Sequence, residues 1–325
     1  MSVLVAVDGG GSKTDVLVLD PDGTVLAHAR GPGSCPQVIG VRPALEVIDG
    51  LVRSALVGRS DVARVGIYLS GLDLPVEIAT FTSALQTLPW FTPDAAVVDN
   101  DTFALLRAGT PSHEAVVVVC GTGINCVGRR SDGATARFPA LGRISGDWGG
   151  GFELGEQALW HAARALDGRG PATSLATRVP SALGRPSMAV VIEDLHFGVL
   201  GHDDVAGLSP VLLAAASDGD AVALSVVERQ AEEIATLALA ALRRLDLVGS
   251  TVPVVLGGGV LAARHPGLTE GIRARLATGA PGAHLTFVAD RPVVGAALLV
   301  LEDHGAPPDA LARARASAGL TPTVV

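Results

Sequence analysis

The residues of this chain that could do chemistry begin with a polar, glycine-rich stretch near its start. Residues 8–15 read DGGGSKTD and lie between two apolar runs, 3–7 and 16–20, that are typical of strands. A glycine turn between strands lets backbone N–H groups approach a polyphosphate closely. The residues predicted to bind phosphate are Gly10, Gly11, Ser12, Lys13 and Thr14. Asp8 is predicted to hold Mg²⁺ through water, because hard cations prefer carboxylate oxygen.

Two carboxylates lie where a predicted strand passes into a predicted helix. Residues 97–104 read VVDNDTFA, so Asp99 and Asp101 flank the junction. One interpretation is structural, because Asp is a favoured N-cap. The other is catalytic: a carboxylate kept ionised by the helix N-terminus can take the proton from a sugar hydroxyl. Asp101 is nearer the helix and is the predicted general base and a predicted substrate contact.

A second glycine turn follows in the other half of the chain. Residues 120–126 read CGTGINC. A simple hairpin turn is the default interpretation. However, the turn occupies the same place in the second half as the first glycine turn does in the first half, which predicts a second phosphate site at Gly121, Thr122 and Gly123. Asn125 is predicted to contact the substrate, because its amide both donates and accepts hydrogen bonds. Cys120 and Cys126 are predicted to be core residues.

Two more glycine-rich stretches point to ligands. Residues 145–155 read SGDWGGGFELG and predict a loop closing over a polar ligand, in which Asp147 accepts hydrogen bonds from sugar hydroxyls. Trp148 either stacks on a sugar ring or is buried in the core. Residues 256–260 read LGGGV, where either adenosine or simple tight packing explains the glycines. The residues predicted to bind adenosine are Gly257, Gly258 and Gly259.

These motifs need a framework of strands and helices. Apolar runs and helical spacing predict the order β-β-β-α-β-α-β-α, with a similar order repeated after a seam at residues 109–114. The predicted strands are 3–7, 16–20, 24–29, 65–69, 95–98, 115–120, 125–129, 252–256 and 285–288. The predicted helices are 42–57, 76–88, 102–108, 155–165, 221–245, 267–276 and 293–303.

The element order predicts an α/β protein of two domains, 1–112 and 113–325. The first carries one phosphate hairpin and the catalytic Asp, and the second carries the other hairpin, the sugar loop and the adenosine motif. Two such halves facing each other predict a cleft for ATP. The tail beyond Gly305 is expected either to form a helix packed back on the first domain or to fray.

Composition excludes several classes of protein. The net charge of −9 and the pI near 5.3 argue against nucleic acid or an anionic membrane as a partner. No apolar stretch reaches the roughly 18 residues of a membrane span, and no signal peptide is expected at the start. Cys35, Cys120 and Cys126 are odd in number and lack CxxC spacing, which predicts free thiols in the cytoplasm and no zinc site.

Taken together, the motifs resemble the N-acetylglucosamine kinase group of the BadF/BadG/BcrA/BcrD ATPase family, within the actin, hexokinase and Hsp70 superfamily. The resemblance spans residues 8 to about 295. It implies two actin-like (ribonuclease H-like) domains, each a mixed sheet with flanking helices. It also implies phosphorylation of an amino sugar, expected to be N-acetylglucosamine at O6, by ATP with Mg²⁺ in a cytoplasmic homodimer.

The resemblance also assigns a substrate side and shows where this chain departs from the family pattern. Cys35 stands where such kinases usually place a sugar-binding Asn, and it is assigned to the substrate site with Ser70 and Gly71. Trp148 replaces the usual acid after Asp147, and Gly150 replaces the usual Ser. All three departures lie on the substrate side, so they bear on the identity of the sugar.

Three alternatives remain open from the sequence. One is a kinase for glucosamine, N-acetylmuramic acid or glucose. Another is an ATP-driven activator of a dehydratase, which would hold an iron–sulfur cluster with cysteines, although Cys120 and Cys126 flank a phosphate turn. The third is a sugar-responsive transcriptional regulator, which would need a DNA-binding module that this acidic chain does not offer at its start.

Overall fold

A computed structural model describes residues 2–317 of the chain. Within these residues the ten strands are β1 (Val3–Gly9), β2 (Lys13–Leu19), β3 (Val25–Pro32), β4 (Val62–Leu69), β5 (Ala96–Asn100), β6 (Ala115–Cys120), β7 (Ile124–Arg129), β8 (Thr135–Arg137), β9 (Pro253–Gly257) and β10 (His284–Phe287). The α-helices among the described residues are α1 (Pro36–Ile39), α2 (Val41–Ala55), α3 (Pro75–Leu85), α4 (Asp101–Gly109), α5 (Gly151–Leu166), α6 (Leu175–Ala182), α7 (Met188–His196), α8 (His202–Ala206), α9 (Ser209–Ser217), α10 (Ala221–Arg244), α11 (Gly259–Ala262), α12 (Pro266–Gly279), α13 (Pro292–His304) and α14 (Pro308–Ser317). Short 3₁₀ helices span Pro93–Ala95 and Gly142–Ser145.

The chain divides into two compact units. Unit 1 contains Met1–His113 and Val288–Val325, and unit 2 contains Glu114–Phe287. The sheet of unit 1 has the strand order β3-β2-β1-β4-β5, and the sheet of unit 2 has the order β10-β9-β6-β7-β8. In each sheet the first three strands along the chain are antiparallel neighbours and the last two pair in parallel. This shared order confirms the predicted repeat and the two-domain actin-like fold.

The elements of unit 1 follow from their apolar pattern. In α2, Ala44, Ile48, Val52 and Ala55 recur at helical spacing and are buried, which turns one stripe of the helix towards the sheet. Alternate residues of β1, Val3, Val5 and Val7, enter the same core, as the two-residue period of a strand requires. The framework of this unit therefore follows from local patterns.

The end of the chain differs from the sequence expectation. Residues 288–303 were predicted to belong to the second domain, but α13 packs on α4, β1 and β4 of unit 1. The reason is that α13 has a long apolar surface, which α4, β1 and β4 bury; its buried residues include Val293, Ala297 and Leu301. The helix α14 also packs on unit 1, where Arg313 donates to Asp22 at 2.7 Å. Residues 318–325 of the predicted tail lie outside the described residues.

Unit 2 contains elements that the sequence did not predict. Between α5 and α10 the chain forms α6 to α9, and β8 adds a three-residue strand to the edge of the sheet. Helix α5 also begins at Gly151, four residues earlier than predicted, because glycine was taken as a loop signal. Among the described residues, no single helix is long and apolar enough to cross a membrane. One pair of helical segments, His202–Ser217 and Ala221–Arg244, is together long and apolar enough, but the two are bent by 113° relative to each other.

Candidate active site

The first glycine turn joins β1 to β2 in unit 1. The two strands are antiparallel, with Gly9 opposite Thr14, and Gly10 N donates to Lys13 O at 2.9 Å. Gly11, Ser12 and Lys13 are exposed at the tip. The tip therefore presents backbone N–H groups, a hydroxyl and an ammonium group to solvent, as a phosphate site requires.

Thr14 differs from the other members of this predicted phosphate site. Its side chain is fully buried, and its hydroxyl donates to Pro32 O at 2.7 Å. The same oxygen lies 2.8 Å from the hydroxyl of Ser34. The hydroxyl of Thr14 thus ties β2 to the segment after β3, and it is the exposed tip rather than this hydroxyl that remains open to a ligand.

Asp15 is the centre of a charged cluster that the sequence analysis missed. Arg30 donates to both of its carboxylate oxygens at 2.8 and 3.0 Å, Arg291 donates at 2.6 Å, and His28 Nε2 lies at 2.7 Å. Burial alone would raise the pKa of Asp15, but the hydrogen bonds from Arg30 and His28 outweigh it and lower that pKa. Arg30 could have been found, because it lies opposite Asp15 in the strand register. Arg291 is 276 residues away along the chain.

At the junction of β5 and α4, the residue that caps the helix is not the predicted catalytic carboxylate. Asn100 is the N-cap: its side-chain oxygen accepts from Thr102 N at 3.0 Å. Its amide donates to Asp73 Oδ1 at 2.9 Å. Asp101 is the first residue of the helix, so the capping interpretation of this carboxylate is wrong, and the carboxylate is left for another role.

Asp101 also differs from expectation in its protonation. Burial and the Asp73 carboxylate raise its pKa to about 7, although backbone N–H groups at the helix start act in the opposite direction. The sequence predicted that the helix N-terminus would keep this group ionised. A helix terminus contributes about 0.3–1 kcal/mol, whereas full burial can shift a pKa by several units. Burial therefore dominates, and the group titrates near neutral pH.

Asp8 lies at the end of β1 and is 8% exposed. Burial, followed by the carboxylates of Asp101 and Asp15, raises its pKa to about 8, and the charges of Lys13 and Arg291 only partly oppose this. A divalent cation would stabilise the ionised form of such a carboxylate. Residues 2–317 contain no group of three or more acidic, His or Cys side chains arranged to hold a metal. Mg²⁺ commonly uses one or two carboxylates together with substrate phosphates, so Asp8 fits this ion.

The substrate residues predicted in unit 1 come together around one loop. Gly71 follows Ser70 at the end of β4, and a Cβ at Gly71 would lie 2.7 Å from Cys35 Sγ. Gln37, two residues after Cys35, donates to Asp73 Oδ2 at 3.1 Å. Because Asp73 also accepts from Asn100, the predicted substrate loops are connected to the start of α4. The buried Cys35 thiol fills the space that the missing side chain of Gly71 leaves.

The second glycine turn, in unit 2, is held by the start of α5. Gly151 N donates to Gly121 O at 2.7 Å, and Phe152 N donates to Thr122 O at 3.0 Å. Within the turn, Gly121 N donates to Gly123 O at 3.0 Å. The turn carbonyls are thus paired with helix amides that would otherwise lack partners, and this fixes the position of the turn.

The predicted adenosine motif lies directly against this turn. Gly258 has a φ of +89°, and a Cβ there would lie 2.4 Å from Cys120 O, so only glycine suits both the backbone and the space. Gly257 ends β9 within the sheet, and Gly259 begins α11. A cavity of about 560 Å³ lies beside them; its lining includes Gly121, Thr122, Ser209, Pro210, Gly259 and Val260. The part of the lining that comes from α9 was not predicted.

A second cavity of unit 2, about 440 Å³, is lined by Thr122, Asp147, Arg143, Glu153, Glu156 and His202, among others. Arg143 Nη2 donates to both oxygens of the buried Glu153, at 3.0 and 3.1 Å. Asp147 accepts from the Ser145 hydroxyl. The structure therefore brings the predicted sugar-loop carboxylate into a cavity shared with the second glycine turn, and it adds Arg143 and Glu153 to the candidates.

Two predicted substrate residues of unit 2 have other surroundings. Trp148 is 8% exposed in the core, and Arg229 lies 4.1 Å above its ring. Of its two interpretations, the core role fits and the sugar-stacking role does not. Asn125 follows Ile124, which lines the 440 Å³ cavity, so strand alternation turns Asn125 to the other face. Its side chain accepts from Cys126 N at 2.7 Å.

Cys120 and Cys126 are both fully buried, and burial raises the pKa of both thiols, that of Cys120 to about 12. We therefore expect neither to react with a thiol reagent such as DTNB in the native protein at pH 8, because the thiolate is the reactive form. Both should react after unfolding in guanidinium chloride. Labelling followed by peptide mass spectrometry distinguishes them from Cys35. Rapid native labelling of either residue would contradict the core role.

Comparison with known proteins places the chain among sugar kinases. An N-acetylmuramic acid/N-acetylglucosamine kinase from Clostridium acetobutylicum is 26% identical over 266 residues, 80% of this chain and 86% of that protein. An N-acetyl-D-glucosamine kinase from Dictyostelium discoideum is 25% identical over 313 residues, 92% of this chain and 98% of that protein. The crystal structure of a candidate N-acetylglucosamine kinase from Chromobacterium violaceum has a TM-score of 0.72 at 25% identity, covering 92% of this chain and 99% of that one. The sequence model of the BadF/BadG/BcrA/BcrD ATPase family matches residues 5–300. The chain therefore belongs to this family.

Proposed function

We propose that this protein is an amino-sugar kinase that transfers the γ-phosphoryl group of ATP to O6 of N-acetylglucosamine. The observation that carries the proposal is Asp101: a half-buried carboxylate at the start of α4 whose pKa is raised to about 7. A general base works best when its pKa is near the working pH. Family membership and the activities named for its relatives support the same reaction.

In the proposed reaction Asp101 accepts the proton of the sugar O6–H. The O6 lone pair forms a bond to the γ-phosphorus, and the bond from that phosphorus to the bridging oxygen breaks, so ADP leaves with the electron pair. Asp73 and the buried surroundings keep Asp101 basic enough to take the proton. Most of the acceleration of phosphoryl transfer comes from positioning and charge stabilisation.

The nucleotide side of the proposal uses both glycine turns. The exposed tip of the β1–β2 hairpin is proposed to donate backbone and side-chain hydrogen bonds to phosphates, with Lys13 as a cation. The turn at Gly121–Gly123 is proposed to do the same in unit 2, and the 560 Å³ cavity beside Gly259 is proposed to take adenosine. Mg²⁺, held by Asp8 through water, would neutralise phosphate charge when bound.

In unit 1 the residues proposed to contact the sugar are Asp101, Ser70, Gly71 and Cys35. In unit 2, Asp147 is proposed to contact it. Three carboxylates line the 440 Å³ cavity against the one guanidinium of Arg143. Like charges repel in such a cavity, so the lining disfavours the acidic lactyl group of N-acetylmuramic acid. It favours a neutral acetylated sugar or the cationic glucosamine. The role of Asn125 stays a prediction.

The test is an ADP-release assay with Mg²⁺ and ATP across N-acetylglucosamine, glucosamine, N-acetylmuramic acid and glucose. We expect the highest kcat/KM with N-acetylglucosamine and the lowest of the amino sugars with N-acetylmuramic acid. The 6-deoxy analogue of N-acetylglucosamine is the matched control and should accept no phosphate if O6 is the acceptor. ATP hydrolysis that none of these sugars stimulates would reject the kinase proposal.

The expectation of a cytoplasmic homodimer stays part of the proposal. One chain has a mass of 32.8 kDa, so sedimentation equilibrium distinguishes a monomer from a dimer directly. A mass that stays at one chain over the concentrations used for the kinase assay would remove the dimer from the proposal and leave the reaction untouched.

A further inference from the structure

The long helix α10 contacts three consecutive residues of the loop that carries Asp147. Arg229 lies with its guanidinium 4.1 Å from the ring centre of Trp148. Its neighbour Gln230 accepts a hydrogen bond from Gly150 N at 3.1 Å through Oε1. Two adjacent residues of one rigid helix therefore hold the segment that follows Asp147.

The backbone of this loop passes unusually close to Gln230. The side chain of Gln230 is 1% exposed. Gly149 has a φ of +128°, and a Cβ there would lie 2.5 Å from Gln230 Nε2. Any other residue at Gly149 would both strain the backbone and collide with this amide. Loop and helix therefore fit each other only with glycine at one position and a long amide at the other.

The side-chain amide of Gln230 is only partly paired among the described residues. Its Nε2 atom is buried and has no hydrogen-bond partner within the part of the chain that the structure describes. A buried donor without a partner destabilises the folded state. Departures of this kind are expected at functional or strained sites. A hydrophobic side chain of the same length would remove this unpaired donor, but it would also leave Gly150 N without the acceptor that Gln230 Oε1 provides.

Asp147 is held from its other side as well. Its backbone N–H donates to Gly142 O at 3.1 Å, and its carboxylate accepts from the hydroxyl of Ser145. With the N-terminal side fixed in this way, the direction of the Asp147 side chain depends on how Trp148, Gly149 and Gly150 are held. We propose that Gln230, supported by Arg229, is a positioning residue that sets the orientation of Asp147 towards the sugar. This inference rests on the proposed function.

The second phosphate turn does not depend on Gln230 in the same way. The amides of Gly151 and Phe152 pair with carbonyls of the turn, at 2.7 and 3.0 Å. These bonds remain when Gln230 is changed. Gly150, in contrast, has its N–H directed to Gln230. Removing the Gln230 oxygen should therefore disturb the sugar side much more than the nucleotide side.

The test is Gln230→Met, which keeps the length of the side chain and removes the acceptor. We expect the KM for N-acetylglucosamine to rise about tenfold, since a small misplacement of a substrate-binding group has effects of this size or larger. The KM for ATP should stay within about twofold. Hydrogen exchange, which needs no activity, should show the amides of residues 147–150 exchanging about tenfold faster, while those of residues 151 and 152 stay protected.

Ala235→Gly, five residues further along α10, is the control for stability. It lowers helix stability, because glycine is a poorer helix former than alanine, and it leaves Gln230 in place, so neither KM should change. Unchanged exchange at residues 147–150 in Gln230→Met, or an equal rise of both KM values, would overturn the positioning role. If the wild type phosphorylates no sugar, the proposed function fails, and the exchange measurement still decides whether Gln230 holds the loop.

Discussion

Replacing Asp101 with asparagine is expected to lower kcat by a factor of about 10²–10⁴ while leaving ATP binding within about twofold of the wild type. The amide has nearly the size of the carboxylate but cannot accept the O6 proton, and general-base catalysis contributes about this factor. The loss corresponds to roughly 3–5 kcal/mol of transition-state stabilisation. Steady-state kinetics measure kcat, and isothermal titration calorimetry measures ATP affinity.

The pH dependence of kcat/KM is a second test of Asp101 as the general base. Asp101 must be ionised to accept a proton, and its pKa is raised to about 7 by burial and by Asp73. The ionised fraction falls as the pH falls through this value, so kcat/KM of the wild type should decline tenfold per pH unit below about 7. In Asp101→Asn this step should disappear. A profile that stays flat from pH 5 to 8 would contradict the assignment.

Asp99→Asn is the matched control for Asp101→Asn. Asp99 lies two residues earlier, at the same end of β5, and its Oδ1 accepts from Asn100 N at 2.7 Å. Asparagine also carries a side-chain oxygen that can keep this bond. We expect kcat to remain within about threefold. Asp101→Asn should also unfold at no lower temperature than the wild type at pH 8, because it removes a buried charge that lies near Asp73. A large fall in kcat in Asp99→Asn, together with a normal kcat in Asp101→Asn, would instead assign the role of general base to Asp99.

Replacing Gly295 with alanine is expected to destabilise unit 1 by about 3 kcal/mol or more. A Cβ at this position would lie 1.7 Å from Ala104 O and 2.8 Å from Ala108 N. Both are backbone atoms of α4, so no side chain can rotate out of the way. Overpacking a core commonly costs about 1–3 kcal/mol, and a clash with backbone falls at or above the upper end. Urea unfolding followed by circular dichroism measures the change.

The same substitution should also lower activity. To accept the new methyl group, α4 must move away from α13, and Asp101 is the first residue of α4. A displacement of about 1 Å at a catalytic group can lower the rate by about 100-fold. We therefore expect kcat to fall more than the folded fraction at the assay temperature. Activity that only follows the folded fraction would show that α4 does not move.

Gly50→Ala is the matched control for Gly295→Ala. Gly50 also lies within a helix, α2, but a Cβ there would have no atom within 4 Å. Alanine is a better helix former than glycine, so this change should stabilise the protein by about 0.5–1 kcal/mol. The same chemical change therefore has opposite expected signs at the two sites. Equal effects would mean that the α4–α13 contact is looser than described.

Much of the fold follows from the sequence because its signals are local. The two glycine turns, the strands around them and the repeated element order depend on turn chemistry and on apolar spacing within about ten residues. Asp101 was found in the same way, from its place between a strand and a helix. The start of α5 was placed too late, because Gly149, Gly150 and Gly151 form a loop signal. Only the pairing of Gly151 with the turn carbonyl shows that the helix begins there.

The assignment of α13 to unit 1 could not be predicted in this way. Its apolar pattern shows that it must be buried, but not against which elements. The same holds for Arg291, whose ion pair with Asp15 joins segments 276 residues apart. Such contacts depend on how complete surfaces pack, and a single sequence carries no local signal for them.

The sequence by itself determined which residue types stand at the strand ends and in the glycine-rich loops: the glycine turns, Asp8, Asp101 and Asp147. Tertiary structure alone decided what those groups can do. Trp148 is a core residue because it packs in the buried cluster of unit 2, with Arg229 over its ring. The pKa of Asp101 is raised to about 7 because the carboxyl is partly desolvated and lies near Asp73. The physical reason is that turn and strand preferences act between neighbours in the chain, whereas burial, charge and contact are set by residues that meet only after folding.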